Sequence, residues 1–183
     1  MPRTHAIPPD QTRRYLEPGP VVLLSTAHAN ERGIMTLGWH MMLGYDLVGT
    51  YIDPGNRSHA LARASRECVL NLPTADMLDT VVRVGNCSST EADKFERFGL
   101  SAVESSDVEA PGIGECHARF ECRLHETRIT ADYPLFVWRV VAAHALRRPK
   151  WPRTVHYRGD GQFMLSGEPR SRRALFKPGM LES

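Results

Sequence analysis

CHARFECRLH, residues 116–125, reads with a period of two: Cys116, Ala118, Phe120, Cys122 and Leu124 fall on one face, His117, Arg119, Glu121, Arg123 and His125 on the other. The cysteines are expected to face a core and the histidines solvent. One strand cannot aim both sets at a single ion, so no zinc site is expected there. Alternation this regular belongs to an antiparallel strand with one face buried rather than to a parallel strand covered on both faces.

Working outward, the strand is expected to run to residue 130 and to return, through Ala131-Asp132-Tyr133-Pro134, as LFVWRVVAAHAL (135–146). Upstream, VVLLST (21–26) and IMTLGWHMM (34–42) flank the turn-prone AHANERG and read as a hairpin. LVGTYI (47–52), ECVLNL (67–72) and a short QFMLSG (162–167) complete about seven extended runs. Helices gather in the middle third. One follows Asn56 with Ser58 as its expected N-cap and HALARAS as its body, a second covers 74–84 with Gly85 as a left-handed stop, and a third covers 90–98, closed by Gly99. The serine-, proline- and glycine-rich 101–115 region reads as a loop. Strands joined by tight turns, with no strand-helix alternation, predict a mainly β antiparallel barrel with a helical insertion.

The 183 residues, 42% of them hydrophobic, suit one domain, here 15–183 behind an N-terminal arm at 1–14. A net charge of +2 from 23 basic and 21 acidic side chains points to neither a nucleic-acid binder nor a disordered acidic chain. No apolar run reaches membrane-spanning length and the start carries no apolar leader, so a soluble, cytoplasmic protein is expected. Cys68, Cys87, Cys116 and Cys122 have neither disulfide-scaffold nor zinc spacing and are expected as free thiols.

Phosphate-loop, dinucleotide-fold and nucleophile-elbow motifs are absent; GIGECH and GDGQF are isolated G-x-G fragments. Asn56-Arg57-Ser58-His59 is more informative, because it joins a strand-ending turn to a helix N-terminus, where backbone N–H groups favour an anion. Read alone, it fits a self-capping helix equally well. Lys94, one of three lysines, reads in isolation as a solvated charge. In GIMTLGWHMM (33–42), Thr36, Leu37 and Gly38 offer slender backbone beside Trp39 and three methionines, suited to the edge of a flat heteroaromatic ligand. The same segment, taken alone, fits a core strand with a glycine bulge.

Taken in order, YLEPGPVVLLST, IMTLGWHM, NRSHAL, RECVLNLPT, DKFERFGL, IGECHARFECRLH and HYRGDGQFMLSGE resemble the flavin reductase-like family, the FMN-binding split barrels, and particularly its flavoredoxin-like branch. The resemblance implies a six- or seven-stranded antiparallel split barrel acting as a homodimer with FMN near the subunit interface. It implies ring-side main chain at Thr36, Leu37, Gly38 and Trp39 and a phosphate turn at Asn56, Arg57 and Ser58 approached by Lys94. Asn71, His144 and Phe163 are further cofactor-binding candidates by the same carry-over. One departure stands out: flavoredoxin-type relatives often carry asparagine before the apolar-Met-Thr segment, where this chain has Gly33.

No catalytic side chain is expected, since the flavin would carry the chemistry. Three functions compete: an NAD(P)H-dependent flavin reductase delivering hydride to flavin N5, a flavoredoxin-type carrier serving a protein redox partner, and a binding module using Arg147, Arg148, Lys150, Arg153, Arg158, Arg170, Arg172 and Arg173. Acidic residues interrupt that basic run and no stacking aromatics accompany it, so nucleic acid is not an expected partner.

Overall fold

The computed structural model describes residues 4–12, 19–90, 92–126 and 133–181. Twelve strands are present among them: β1 (Thr4–Ile7), β2 (Val22–His28), β3 (Glu31–Leu37), β4 (His40–Met42), β5 (Leu47–Tyr51), β6 (Glu67–Leu72), β7 (Ala102–Val103), β8 (Gly112–Ile113), β9 (Ala118–Glu126), β10 (Leu135–Leu146), β11 (Val155–Gly159) and β12 (Gln162–Leu165). Three α-helices are α1 (Arg57–Ser65), α2 (Leu78–Gly85) and α3 (Lys94–Arg97). The continuation of β9 through 127–130 and the first half of the turn at 131–134 lie outside the described residues, as does the start of YLEPGPVVLLST.

All the pairings are antiparallel, and the main sheet runs β3-β2-β6-β9-β10-β5-β4, with β1 added against β10. Its two terminal strands, β3 and β4, are joined by only Gly38 and Trp39, so the sheet must curl until its edges nearly meet. Tyr51 N donates to Trp39 O at 3.0 Å, which extends the β4–β5 pairing by one residue into this junction. The result is an antiparallel split barrel, with its two edge strands linked through Gly38 and Trp39.

Inside the curl, Val22, Leu24, Leu70, Phe120, Phe136 and Trp138 form the main core. Phe136 and Trp138 stack at 5.2 Å, and the Trp138 indole N–H donates to Thr50 Oγ1 at 2.8 Å, which satisfies its polar edge. The other face of β2 and β3 is also covered: Leu23 and Ile34 pack with Val81, Val84 and Phe95 of α2 and α3. That double burial explains why VVLLS is a continuous apolar run rather than an alternating one.

Several expectations are corrected locally. Asn56, with extended backbone, takes the N-cap position of α1 in place of Ser58, and its side chain makes no capping bond. The helix expected at 74–84 is a short 3-10 turn (Ala75–Met77) followed by α2; Gly85 lies inside α2 and Asn86 ends it without left-handed geometry. The third helix begins only at Lys94, because Asp93 caps it by accepting from Phe95 N at 2.8 Å, while Gly99 is left-handed as expected. Within the N-terminal arm, β1 joins the sheet by pairing with β10. The 101–115 region carries the small β7–β8 pair, and HYRGD contributes β11, which pairs with β12.

The cysteine face of β9 is buried as expected, but the opposite face is not fully solvated. His117 is completely buried and Glu121 nearly so. Glu121 accepts from Ser106 N at 3.0 Å and Asp107 N at 2.7 Å, so the 101–115 region folds over that face. Burial pushes the His117 imidazole down to about 4, and it also lowers His40 and His59. Above the ordinary histidine range both folded and unfolded chains hold these rings neutral. Below it, the unfolded chain takes up protons that the folded chain refuses, so stability is lost as pH falls from about 6.5 toward about 4, by roughly 3 kcal/mol at most from His117. Urea unfolding of the parent and of His117→Gln between about pH 7 and about pH 5 should show a shallower acid slope for the variant. Equal slopes would remove His117 from the account.

Candidate functional site

A cavity of about 570 Å³ opens where the end of β3, α2 and the β11–β12 hairpin converge. Thr36, Leu37, Gly38 and Trp39 line it, opposite Val81, Val82 and Gly85 of α2 and the hairpin residues Tyr157, Gly161 and Phe163. Thr36 fixes the strand to the helix by donating from Oγ1 to Val81 O at 2.7 Å. The approach is close because residue 85 has no side chain: a Cβ there would stand 3.3 Å from Thr36 Cβ. The Leu37 side chain points into the core, so its share of the wall is backbone. Trp39 is 71% exposed and rests edge-on against Tyr51 at 5.3 Å. Tyr157 and Phe163 pack ring to ring at 4.9 Å on a hairpin whose tight turn uses Gly159, Asp160 and Gly161 at positive φ. The lining is mostly apolar, a slot for a flat ring system.

A second cavity, of about 320 Å³ and polar, adjoins the first through Met35, Asn56, Gly85 and Asn86. Arg57, Ser58, Ser88, Ser89 and Lys94 line it. Ser58 is only 2% exposed, and its hydroxyl has no hydrogen-bond partner among the described residues. Lys94 is no solvated charge: it is 5% exposed and donates from Nζ to Val84 O at 2.9 Å. Asp93 caps the short helix that carries it. Burial alone would raise the Asp93 carboxyl, but the Arg32 guanidinium, 2.7 Å away through Nε, and the amides of Phe95 and Glu96 bring it below the usual carboxylate range. Arg57 reaches Glu31 through Nε at 3.0 Å. A buried ammonium, an unpartnered hydroxyl and the N-terminus of α1 therefore meet in one small space, a combination suited to an anion.

The structure thus brings together nine of the eleven expected residues: Thr36, Leu37, Gly38, Trp39, Asn56 and Phe163 at the larger cavity, and Asn56, Arg57, Ser58 and Lys94 at the smaller. Asn71 and His144 line neither. Asn71 is wholly buried, with its amide donating to Leu23 O and its Oδ1 accepting from Ile113 N. His144 sits on β10 with Nε2 3.5 Å from Glu121 Oε1. The strand carrying Asn71 pairs with β2 and β9 on both sides, which leaves that side chain under the 101–115 region rather than at the slot. Gly33 lines neither cavity; a Cβ there would meet Ser89 Oγ at 3.1 Å and Leu61 Cδ1 at 3.3 Å, so no longer side chain fits without displacement. Tyr51, Gly85, Asn86, Cys87 and Tyr157 were not foreseen as lining residues. Tyr157 stands six residues before Phe163, and the spacing of a hairpin was the available signal. An open polar hollow of about 760 Å³ continues past Arg57 and Ser89. The basic residues from Arg147 to Arg173 line none of these three spaces.

Comparison with known proteins bears on the family and the fold. Residues 13–162 match the family described as flavin reductase like domain. An uncharacterized protein of Pyrococcus abyssi is 31% identical over 131 residues, 70% of this chain and 75% of that protein. Another, from Archaeoglobus fulgidus, is 34% identical over 110 residues, 59% of this chain and 62% of that protein, so the match spans less than two thirds of its length. Among solved structures, the FMN-binding domain of a flavin reductases-like enzyme from Shewanella baltica superposes with a TM-score of 0.85 at 25% identity, covering 93% of this chain and 97% of that one. Flavoredoxin of Desulfovibrio vulgaris shares the fold at a TM-score of 0.76 and 18% identity, over 88% and 92% of the two chains. This chain belongs to the flavin reductase-like family.

Proposed function

We propose that the protein binds FMN and works as an NAD(P)H-dependent flavin reductase. The observation that carries this reading is the adjacency of the two cavities: an apolar slot with a peptide edge opens, through Asn56 and Gly85, into a seat for an anion. The donor set fits the group, since the Ser58 hydroxyl and the Lys94 ammonium line one small polar cavity and the slot has aromatic side chains at its mouth. When bound, the flavin supplies hydride acceptance and electron transfer. The protein's part is positional: Thr36 ties the slot's wall to α2, Lys94 and Ser58 would hold the tail, and Trp39 and Tyr157 would flank the ring at the slot's mouth.

A homodimer belongs to the same reading. Trp39, Met41, Leu43 and Tyr45 expose 71%, 58%, 48% and 58% of their surface along the β4 edge, an apolar strip beside the slot's mouth that a second copy would cover. Four reduced cysteines suit a cytoplasmic setting, and no helix among the described residues is long and apolar enough to cross a membrane.

Purified protein is expected to be yellow and to release FMN on heating. Anaerobic mixing with NADH and with NADPH should bleach that colour. If neither nicotinamide bleaches it at a useful rate while a reduced protein donor does, the flavoredoxin-type carrier replaces the reductase.

A further inference from the structure

We propose that Cys87 is a modification site: a thiol at the rim of the small polar cavity whose oxidation to sulfenic acid by hydrogen peroxide closes that cavity to phosphate. The closing effect rests on reading the cavity as the seat of the FMN phosphate; the oxidation itself does not.

The four cysteines divide sharply. Cys68, Cys116 and Cys122 are fully buried, and burial pushes the thiols of Cys68 and Cys116 upward, which suppresses the reactive thiolate. Cys87 is only half-buried, just beyond the end of α2, and lines the same cavity as Ser58 and Lys94. Its Sγ donates to Ser88 O at 3.5 Å and accepts from Arg97 Nη1 at 3.3 Å. The Arg97 guanidinium thus hydrogen-bonds the sulfur at the rim of the cavity. The independent sign that this cavity takes a polar ligand is Ser58: 2% exposed, lining the space, its hydroxyl unpartnered among the described residues.

In the reaction the Cys87 sulfur attacks one oxygen of the peroxide. The S–O bond forms as the O–O bond breaks, and the departing hydroxide takes up the thiol proton as water. Sulfur loses two electrons and the peroxide gains them, so no further reductant or oxidant is needed. The added oxygen occupies part of a space of about 320 Å³ and competes with phosphate oxygens for the same donors. Hydrogen peroxide is also what reduced flavin yields when oxygen intercepts it, so under the proposed function the switch answers to wasted turnover.

The test treats flavin-free protein with hydrogen peroxide, traps sulfenic acid with dimedone and locates the tag by mass spectrometry, then measures FMN and riboflavin affinity before and after. The tag is expected on Cys87 at least about tenfold faster than on any other cysteine, and several-fold slower in Arg97→Leu. Oxidation should weaken FMN binding by about tenfold or more and riboflavin binding by less than about threefold, with dithiothreitol restoring both and Cys87→Ser abolishing the effect. A tag spread over several cysteines, or absent from Cys87, overturns the modification site. Selective tagging with unchanged FMN affinity overturns the closing effect. If untreated protein binds neither flavin, the proposed function falls, while selective tagging still upholds the thiol as the oxidisable one.

Discussion

Replacing Ser58 by alanine and Lys94 by methionine together weakens FMN binding by on the order of a hundredfold and riboflavin binding by less than about threefold. The two ligands share the ring and the ribityl chain and differ only in the phosphate, so riboflavin reports everything the substitutions do to the slot or the fold. A charge-assisted hydrogen bond from a buried ammonium contributes about 1.5–3 kcal/mol, and each factor of ten in affinity is about 1.4 kcal/mol. Lys94 at 5% exposure and Ser58 at 2% are both desolvated before any ligand arrives, so the phosphate gains their donors without the cost of drying them. The variant also leaves Val84 O without its Nζ donor at 2.9 Å, and stability should fall by about 1–2 kcal/mol in urea unfolding. That loss is common to both ligands. Equal weakening of FMN and riboflavin would show that the small cavity does not hold the phosphate.

The barrel was legible because period-two burial survives in single strands: in β9, Phe120 and Cys122 are buried on the predicted face, and ECVLNL is a strand at the residues expected. What alternation cannot say is whether the second face is covered by something distant in sequence. His117 and Glu121 lie on the face read as solvated, yet both are buried, Glu121 beneath the 101–115 region that folds over it. Capping failed for a related reason. Asn56 and Ser58 are both good capping residues, and which of them starts the helix depends on the turn at Asp53, whose carbonyl and Oδ1 engage Asn56 N and Gly55 N. Lys94 shows the same limit, since a lysine in a four-residue helix looks solvated until its ammonium is seen to be buried against the Val84 carbonyl of α2. The slot was legible only in outline. Its β3 wall stood in one segment of sequence, whereas its opposite wall comes from α2 and a hairpin more than seventy residues further on, which local patterning cannot connect.

Asn71→Ala should destabilise the protein by about 3–5 kcal/mol while leaving the FMN affinity of the folded fraction within about threefold. Asn71 came into the candidate set by resemblance, yet its side chain is spent on the fold. Nδ2 donates to Leu23 O at 2.9 Å and Ser25 Oγ at 3.0 Å, with Val69 O at 3.1 Å, while Oδ1 accepts from Ile113 N at 2.8 Å. Ser25 in turn donates to Pro111 O at 2.5 Å, so one amide joins β2, β6 and the chain entering β8. Truncation strands the Ile113 N–H and the Leu23 carbonyl in a dry interior, each at a cost of about 1–3 kcal/mol, and adds the cavity left by the lost atoms. Ser25→Ala alone should cost less, and the double variant should fall short of the sum by about 1 kcal/mol, because the two side chains share a bond. Urea unfolding with flavin titration of the same samples separates the alternatives. A stability loss under about 1 kcal/mol together with a tenfold loss of FMN affinity would return Asn71 to the binding site; the wholly internal hydrogen bonds of its amide argue for the opposite result.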